Sequence, residues 1–459
     1  MGTVVDSIID FLQGEALQDP PAAALATAAN GFTDCVAVML AGAHEPVTVN
    51  LLRHVRATGG RPQSRLLLGA ERATVAQAAL VGTGAAHALD FDDYAYSNHV
   101  SALMVPAILA EAERAGADGP AMLRAYLAGF EAWGAVMKRE PDHLHSKGWH
   151  PTGVFGPIGV AAALSHLRGL DAGRTRNALG LAAAAGGGVM DNFGTQAKPL
   201  QGARAAEAGV VAVELALAGL DAGPHAIDGD GGLLAALSPA GNVDLETPPD
   251  WLGRKWLAAT DGINIKLHPT VGASQRAIDA AIQVHRDHGP APKAIARVIA
   301  RVSEKHAAVM RFHRPATALE AKFSLEFGVA AGLIAGKVGL AEVSDDFVGR
   351  DDVRALMERV AIEVGPDDDP DYPVGAKSDS VAIELSDGSR IESEPVHRFR
   401  GHGHNPVTRG ELKAKFDDCV APAAGQPMAD RLFEVLQNLA SLAGVDALPV
   451  VELPPSSRG

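Results

Sequence analysis

Up to about Leu220 one pattern repeats: apolar residues recur at the three- and four-residue spacing of a helix face, and the side to be buried is often Ala or Gly. Val5, Ile8, Ile9 and Leu12 share one such face. Further helices are predicted over Ala22–Leu40, Val75–Leu89, Leu103–Ala115, Gly119–Met137, Gly156–Leu167, Arg174–Ala185 and Gly202–Ala218, with Asp171 as a helix start before Thr175. Small residues let helix backbones approach closely. With 50 glycines and only 5% aromatics, the chain suits tight helix packing better than an aromatic-walled pocket or a base-stacking platform.

After a Gly/Pro/Asp-rich stretch, Ala222–Pro249, the texture changes near Ile265. Ala294–Ser303 alternates Val and Ile with other residues and reads as a strand, as does Val360–Val364. Ser380–Leu385 and Arg390–Glu394 flank Asp387-Gly388, a turn dipeptide, so a hairpin is predicted there. Helices are expected at Gly272–Asp287, Ala318–Gly336, Val353–Arg359, Arg409–Phe416 and Ala429–Leu442, with a polar tail from about Pro454. The fold class is therefore mainly α. A large all-helical domain, 1–265 completed by 401–459, accompanies a smaller α+β domain, 266–400.

Composition narrows the function. A net charge of -15 repels polyphosphate and anionic membrane, so neither nucleic acid nor a membrane is an expected partner. Two cysteines, Cys35 and Cys419, are too few for a disulfide framework or a thiolate metal cage. Met1–Leu17 lacks a basic start and is interrupted by Asp6 and Asp10, unlike a signal peptide. The uncharged run Pro151–Leu167 is too short and too rich in Pro and Gly to span a bilayer, and a soluble, cytoplasmic protein is the expectation. Walker, dinucleotide, zinc-protease and serine-hydrolase motifs are missing, so nucleotide cofactors and serine hydrolysis lack support.

Four constellations carry chemistry. In His87-Ala-Leu-Asp90-Phe-Asp92-Asp93, followed by His99, adjacent acids repel unless a cation, proton or donor separates them. They could orient a histidine, bind a divalent metal through Asp90, Asp92 and Asp93, or merely end a helix. His150 sits in a Pro/Gly-flanked turn before a helix, where N–H groups favour anions, although it could simply plug the turn. Lys198 and Arg204 are cations gathered in an acidic chain, suited to a carboxylate; Lys198 could alternatively form a Schiff base or lie on the surface. Lys266-Leu-His268-Pro269 stands at the domain boundary, where pockets are common but linkers also run. The pairs His143/His145 and His402/His404 lack supporting ligand spacing and read as loops before metal sites.

Taken in order, these blocks resemble the MmgE/PrpD family. The matching stretches are AHALDFDDY at Ala86–Tyr94, GWHPTGVFGPIGVAAA at Gly148–Ala163 and NFGTQAKPLQGARAAEAG at Asn192–Gly209. KLHP at Lys266–Pro269, PATALEAKFSLEFGVAAGL at Pro315–Leu333 and NPVTRGELKAKF at Asn405–Phe416 continue the match over almost the whole chain. The resemblance implies a helical domain holding both chain ends, a smaller α+β lid domain, a homodimer, and a polycarboxylate substrate. It implies cofactor-free proton transfer beside a carboxylate, giving dehydration, epimerisation or decarboxylation by a lyase or isomerase.

By the same resemblance Asp93, His99, His150, Lys198 and Lys266 are the catalytic residues. Asp93 would orient His99, and the two lysines would hold carboxylates. Thr152, Gln201, Arg204, His268 and Phe327 are expected at the substrate. Three of these depart from the family pattern: Gln201 replaces a frequent His, His268 a Tyr or Trp, and Phe327 a Tyr of decarboxylase-like members. They leave open a non-catalytic carboxylate-binding or scaffold protein of the same fold.

Overall fold

A computed structural model of the chain describes residues 3–370 and 375–453, so the tail expected from Pro454 lies outside the described residues. The chain divides into two compact units: Met1–Asn192, Gln196–Asn264 and Arg409–Gly459 form the first, and Phe193–Thr195 with Ile265–Thr408 form the second.

The first unit is built from α1 (Val4–Gln13), α2 (Ala22–Ala41), α3 (Pro46–Thr58), α4 (Val75–His87), α5 (Val100–Ala115), α6 (Gly119–Met137), α7 (Pro151–Leu167), α8 (Ala172–Ala183) and α9 (Ala197–Leu217). Local chemistry sets several starts. Thr74 and Gln77 form a reciprocal capping box on α4, and the Asp118 and Asp171 carboxylates accept from the first-turn amides of α6 and α8. The small residues do what their abundance suggests. α7 packs against both α6 and α9. A Cβ on Gly159 would meet the Trp133 ring at 2.3 Å, and one on Gly209 would meet Val160 at 2.6 Å. Only glycine permits those helix spacings.

Two elements of this unit escape the sequence pattern: α3, and the two-stranded ribbon β1 (Ser64–Arg65) with β2 (Arg72–Ala73). The Ala222–Pro249 loop also holds a short helical turn, Leu233–Leu237. Among the described residues, Ala22–His44 is the one helical stretch long and apolar enough to cross a membrane, which the sequence reading passed over. About two-thirds of its apolar window, 67%, is buried inside the fold, and it carries the fully buried Asp34, as a core helix would.

The second unit is α+β, as expected. Its four-stranded sheet comprises β3 (Ile295–Ser303), β4 (Val360–Gly365), β5 (Ser380–Leu385) and β6 (Arg390–Glu392), in the order β4-β3-β5-β6. β3 pairs parallel with β4 and antiparallel with β5, and β5 and β6 form the hairpin. Gly388 takes the left-handed φ of 86° that this turn needs. Central β3 buries Ile295, Val298, Ala300 and Val302 in a core with α10 (Gln275–His288) and α11 (Leu325–Ala335). The helix expected over Ala318–Gly336 is broken: Ala318–Ala321 ends, and the Ser324 hydroxyl accepts from the Phe327 amide to start α11 afresh. The chain then re-enters the first unit as α12 (Arg409–Ala424) and α13 (Gln426–Gln437), with α12 packed on α2.

Candidate active site

Three helices of the first unit begin at one place. His99 is the N-cap of α5, His150 is the N-cap of α7, and Lys198 is the second residue of α9. Each helix start carries unsatisfied N–H groups and partial positive charge, a setting that favours anions. α4 delivers His87 as its last residue. The chain then turns through Asp90, which adopts a left-handed φ of 51°, a conformation Asp tolerates better than most residues. That turn swings Asp92 back beneath the histidines.

Asp92 bridges two imidazoles. Its Oδ2 lies 2.7 Å from His99 Nδ1 and its Oδ1 lies 3.1 Å from His87 Nδ1. Burial would raise the Asp92 carboxyl, but His99 and His87 hold it well below the ordinary carboxylate range. Asp92 is therefore an ionised acceptor, and both rings donate from Nδ1. Burial pushes His99 down to about 3 against the pull of Asp92, and lowers His87, with Lys198 adding to the effect. Both are neutral at pH 7 with the lone pair on Nε2. The His87 and His99 rings lie 4.0 Å apart, and that of His150 lies 6.1 Å from His87 and 6.4 Å from His99.

Lys198 Nζ donates to Asp90 Oδ2 at 2.8 Å, both groups being buried. Asp90 Oδ1 lies 3.8 Å from His99 Nε2. Burial, then the positive charge of Lys198, holds His150 well below the usual imidazole range. Gln201, one turn along α9, reaches His150 Nδ1 with its amide nitrogen at 2.9 Å.

Asp93 is not the carboxylate that orients His99; that correction is forced by geometry. It points the other way, its backbone N–H donating to Asp34 Oδ2 at 3.1 Å, while Lys415 Nζ lies 2.6 Å from Asp34 Oδ1 and 2.7 Å from the Phe91 carbonyl. Burial and the neighbouring Asp34 push the Asp93 carboxyl well above its ordinary value. Thr152 is likewise a positioning group, since its hydroxyl accepts the His99 backbone N–H at 3.1 Å.

Family models for the MmgE/PrpD N-terminal domain and the MmgE/PrpD C-terminal domain match residues 6–246 and 268–440. The chain belongs to the MmgE/PrpD family. Cis-aconitate decarboxylase of Homo sapiens is 28% identical over 392 residues, covering 83% of this chain and 79% of that one. The enzyme of the same name from Mus musculus is 29% identical over 406 residues, 85% of this chain and 79% of the other. The cis-aconitate decarboxylase-like protein oryM of Aspergillus oryzae is 26% identical over 474 residues, 97% and 96% of the two chains. These relatives make the chain a MmgE/PrpD-family enzyme acting on carboxylates.

Arg204 does not join the cluster: it lies exposed on α9 and pairs with Glu207 one turn away. Lys266, His268 and Phe327 belong to the second unit. Lys266 is fully buried there. His268 is a structural histidine, with Nδ1 3.1 Å from the Val338 carbonyl and Nε2 2.9 Å from Asp279. Phe327 is core, packed edge-on to Phe347 at 6.4 Å.

The His143/His145 pair is not on a strand. His143 caps the short 3-10 turn Leu144–Lys147 that contains His145, and His143 Nε2 lies 2.9 Å from His145 Nδ1. Burial, then His143, Lys198 and His99, holds His145 well below the usual range, which places it near the cluster. His402 and His404 lie on a turn of the second unit, and His402 accepts the His404 backbone N–H at 3.0 Å.

His87, Asp90 and Asp92, which the sequence groups with Asp93 and His99, join the site although the family resemblance named only Asp93 and His99 of that block. The ring nitrogens of His87, His99 and His150, or one atom each of His87, Asp90, Asp92 and His99, lie within 4.8 Å of one another, a spacing a metal ion could use. The donor chemistry of the second set fits one poorly. Both Asp92 oxygens are already committed to imidazoles, and the Lys198 ammonium occupies Asp90.

Proposed function

We propose that this protein is a lyase that moves a proton at the carbon beside a carboxylate of a tricarboxylate, with cis-aconitate decarboxylation its leading reaction. The observation that carries the proposal is the pairing of a histidine held by a buried carboxylate, His99 on Asp92, with a buried ammonium, Lys198, at three convergent helix starts. The names of the relatives supply the candidate substrate.

The chemistry follows from charge. A polyanion entering here meets Lys198 and three helix N-termini, which lower the cost of the enediolate-like charge that develops beside a carboxylate. The substrate's own negative charge raises the pKa of His99, so an imidazole that is neutral in the empty site can take up a proton at Nε2. In decarboxylation the bond from the methylene carbon to its carboxylate breaks and CO2 leaves. The electron pair forms the new double bond, the old one shifts towards the far carboxylate, and one proton from His99 Nε2 is added to the carbon beside it. Asp92 compensates the imidazolium while it exists.

The test is proton NMR in D2O with cis-aconitate, 2-methylcitrate, citrate and iminodisuccinate. Loss of CO2 from cis-aconitate, with one deuterium in the product's methylene, is expected. Exchange or water loss on another acid without CO2 release would replace decarboxylation by epimerisation or dehydration. No chemistry on any of the acids would overturn the catalytic reading.

A further inference from the structure

We propose that Gln201 is a positioning residue that locks His150 in the tautomer with its proton on Nε2, so that His150 serves the reaction as a neutral hydrogen-bond donor and not as a base. The role in turnover rests on the reaction proposed above; the tautomer does not.

The orientation of the Gln201 amide is fixed by partners that cannot exchange roles. The Val189 backbone N–H can only donate, and it lies 2.8 Å from Gln201 Oε1. The Asn192 amide nitrogen donates to the same oxygen at 2.8 Å. The Val189 carbonyl can only accept, and it lies 3.3 Å from Gln201 Nε2. A flipped amide would set oxygen against carbonyl and N–H against N–H. Gln201 therefore presents its NH2 to His150 Nδ1 at 2.9 Å. An amide NH2 has no lone pair to offer, so Nδ1 must be the acceptor. A neutral imidazole has one N–H, and it is left on Nε2.

Second, the anchor is rigid. Val189 pairs with Trp149 in an isolated bridge, and the His150 backbone N–H donates to Gly188 O at 3.0 Å, so acceptor ring and donor amide are held by the same short strand pairing. Third, the environment keeps the ring neutral. It faces His87 from α4, His99 from the start of α5, His145 from the turn before α7 and Lys198 from α9. A second proton on Nδ1 would also abut the Gln201 NH2.

The cluster is thus directional. His87 and His99 donate from Nδ1 to Asp92 and keep a lone pair on Nε2, whereas His150 accepts at Nδ1 and keeps its N–H on Nε2. That division assigns proton transfer to His99 and stabilisation of the developing oxyanion to His150, the same use of a neutral imidazole that serves as electrophile in triosephosphate isomerase.

The test is long-range proton–nitrogen NMR of the full-length protein with labelled histidine, His150 being identified by loss of its signals in His150→Gln. In wild type, His150 should show a bare Nδ1 and a protonated Nε2. In Gln201→Glu the carboxylate retains the acceptor contacts to Val189 and Asn192 but can only accept from the ring, so the pattern should invert. Turnover should then fall about 10²–10³-fold while the melting temperature is kept. A protonated Nδ1 in wild type, or an inverted ring with unchanged kcat, would overturn the proposal. If no carboxylate is turned over by wild type, the proposed reaction fails while the tautomer reading still decides the role of Gln201.

Discussion

Asp92, and not its neighbour Asp93, holds His99: the carboxylate oxygen lies 2.7 Å from Nδ1, while Asp93 turns into a separate buried network with Asp34. Removing the Asp92 charge should leave His99 in an unsuitable tautomer. Asp92→Asn is expected to cut turnover about 10²–10⁴-fold. Asp93→Asn should leave turnover within a few-fold, because that carboxyl is already held well above its ordinary value and favours its proton. Equal losses in the two variants, measured on folded protein, would contradict the assignment.

The Lys198–Asp90 pair is buried, and breaking it strands one charge. Lys198→Met should destabilise by about 3–5 kcal/mol in urea unfolding and abolish turnover. The double variant Lys198→Met/Asp90→Asn should recover most of the stability and none of the activity. Recovered turnover in the double variant would show that Lys198 does not act on substrate.

Lys415 compensates the buried Asp34 across the gap between α12 and α2. Lys415→Met should cost about 3–5 kcal/mol at pH 7. Burial raises the folded pKa of Asp34, and burial with Asp34 as neighbour raises that of Asp93. Groups raised in the fold contribute stability that is present at low pH and fades as pH rises. The gap between wild type and Lys415→Met should therefore narrow as pH falls from 7 towards 4. A constant gap would mean these acids do not titrate with folding.

His99 gives the opposite slope. Its folded pKa of about 3 is below the ordinary 6.5. A depressed histidine binds fewer protons folded than unfolded, so its contribution grows as pH rises from 3 to 6.5 and is lost on acidification through that window. The stability difference between wild type and His99→Gln, from chemical unfolding at several pH values, should climb across this range and flatten above it. A flat difference from 3 to 6.5 would show an imidazole of ordinary affinity.

Gly159→Ala sets a Cβ 2.3 Å from the Trp133 ring. Alanine's better helix propensity, about 1 kcal/mol, opposes overpacking of about 1–3 kcal/mol. Backbone contact between α6 and α7 leaves the ring no room, so net destabilisation is expected in urea unfolding. A more stable variant would refute the close-packing account.

Helix periodicity, the strand alternation at Ile295–Ser303 and the Asp387-Gly388 turn were legible because each is a local signal that tertiary packing reinforces. α3 was not, because Pro46–Thr58 mixes polar and β-branched residues and buries only Val47, Thr48, Leu51 and Val55. Within the site, His150 and Lys198 stood out because each sits at a turn before a helix, whereas His99 came from the family resemblance. Asp92 was passed over for Asp93 as the partner of His99 for a geometric reason. Helix spacing from His87 favours Asp90, but the helix stops at His87 and the left-handed Asp90 redirects the chain towards Asp92. Arg204 shows the converse error: a motif position fixes where a residue lies in the chain, whereas the outer face of α9 decides where it points.

The Lys415–Asp34 contact also sets a schedule for biosynthesis. α2 leaves the ribosome early with an acid destined for the interior, and its ammonium is translated 381 residues later. At bacterial-to-eukaryotic elongation speeds of about 5–20 residues per second, that interval is about 20–80 s. The nascent α2–α9 bundle must wait through it, either keeping Asp34 wetted or holding it protonated. Nascent chains stalled before residue 409 should accordingly remain protease-sensitive around α2, and become resistant once α12 has cleared the exit tunnel.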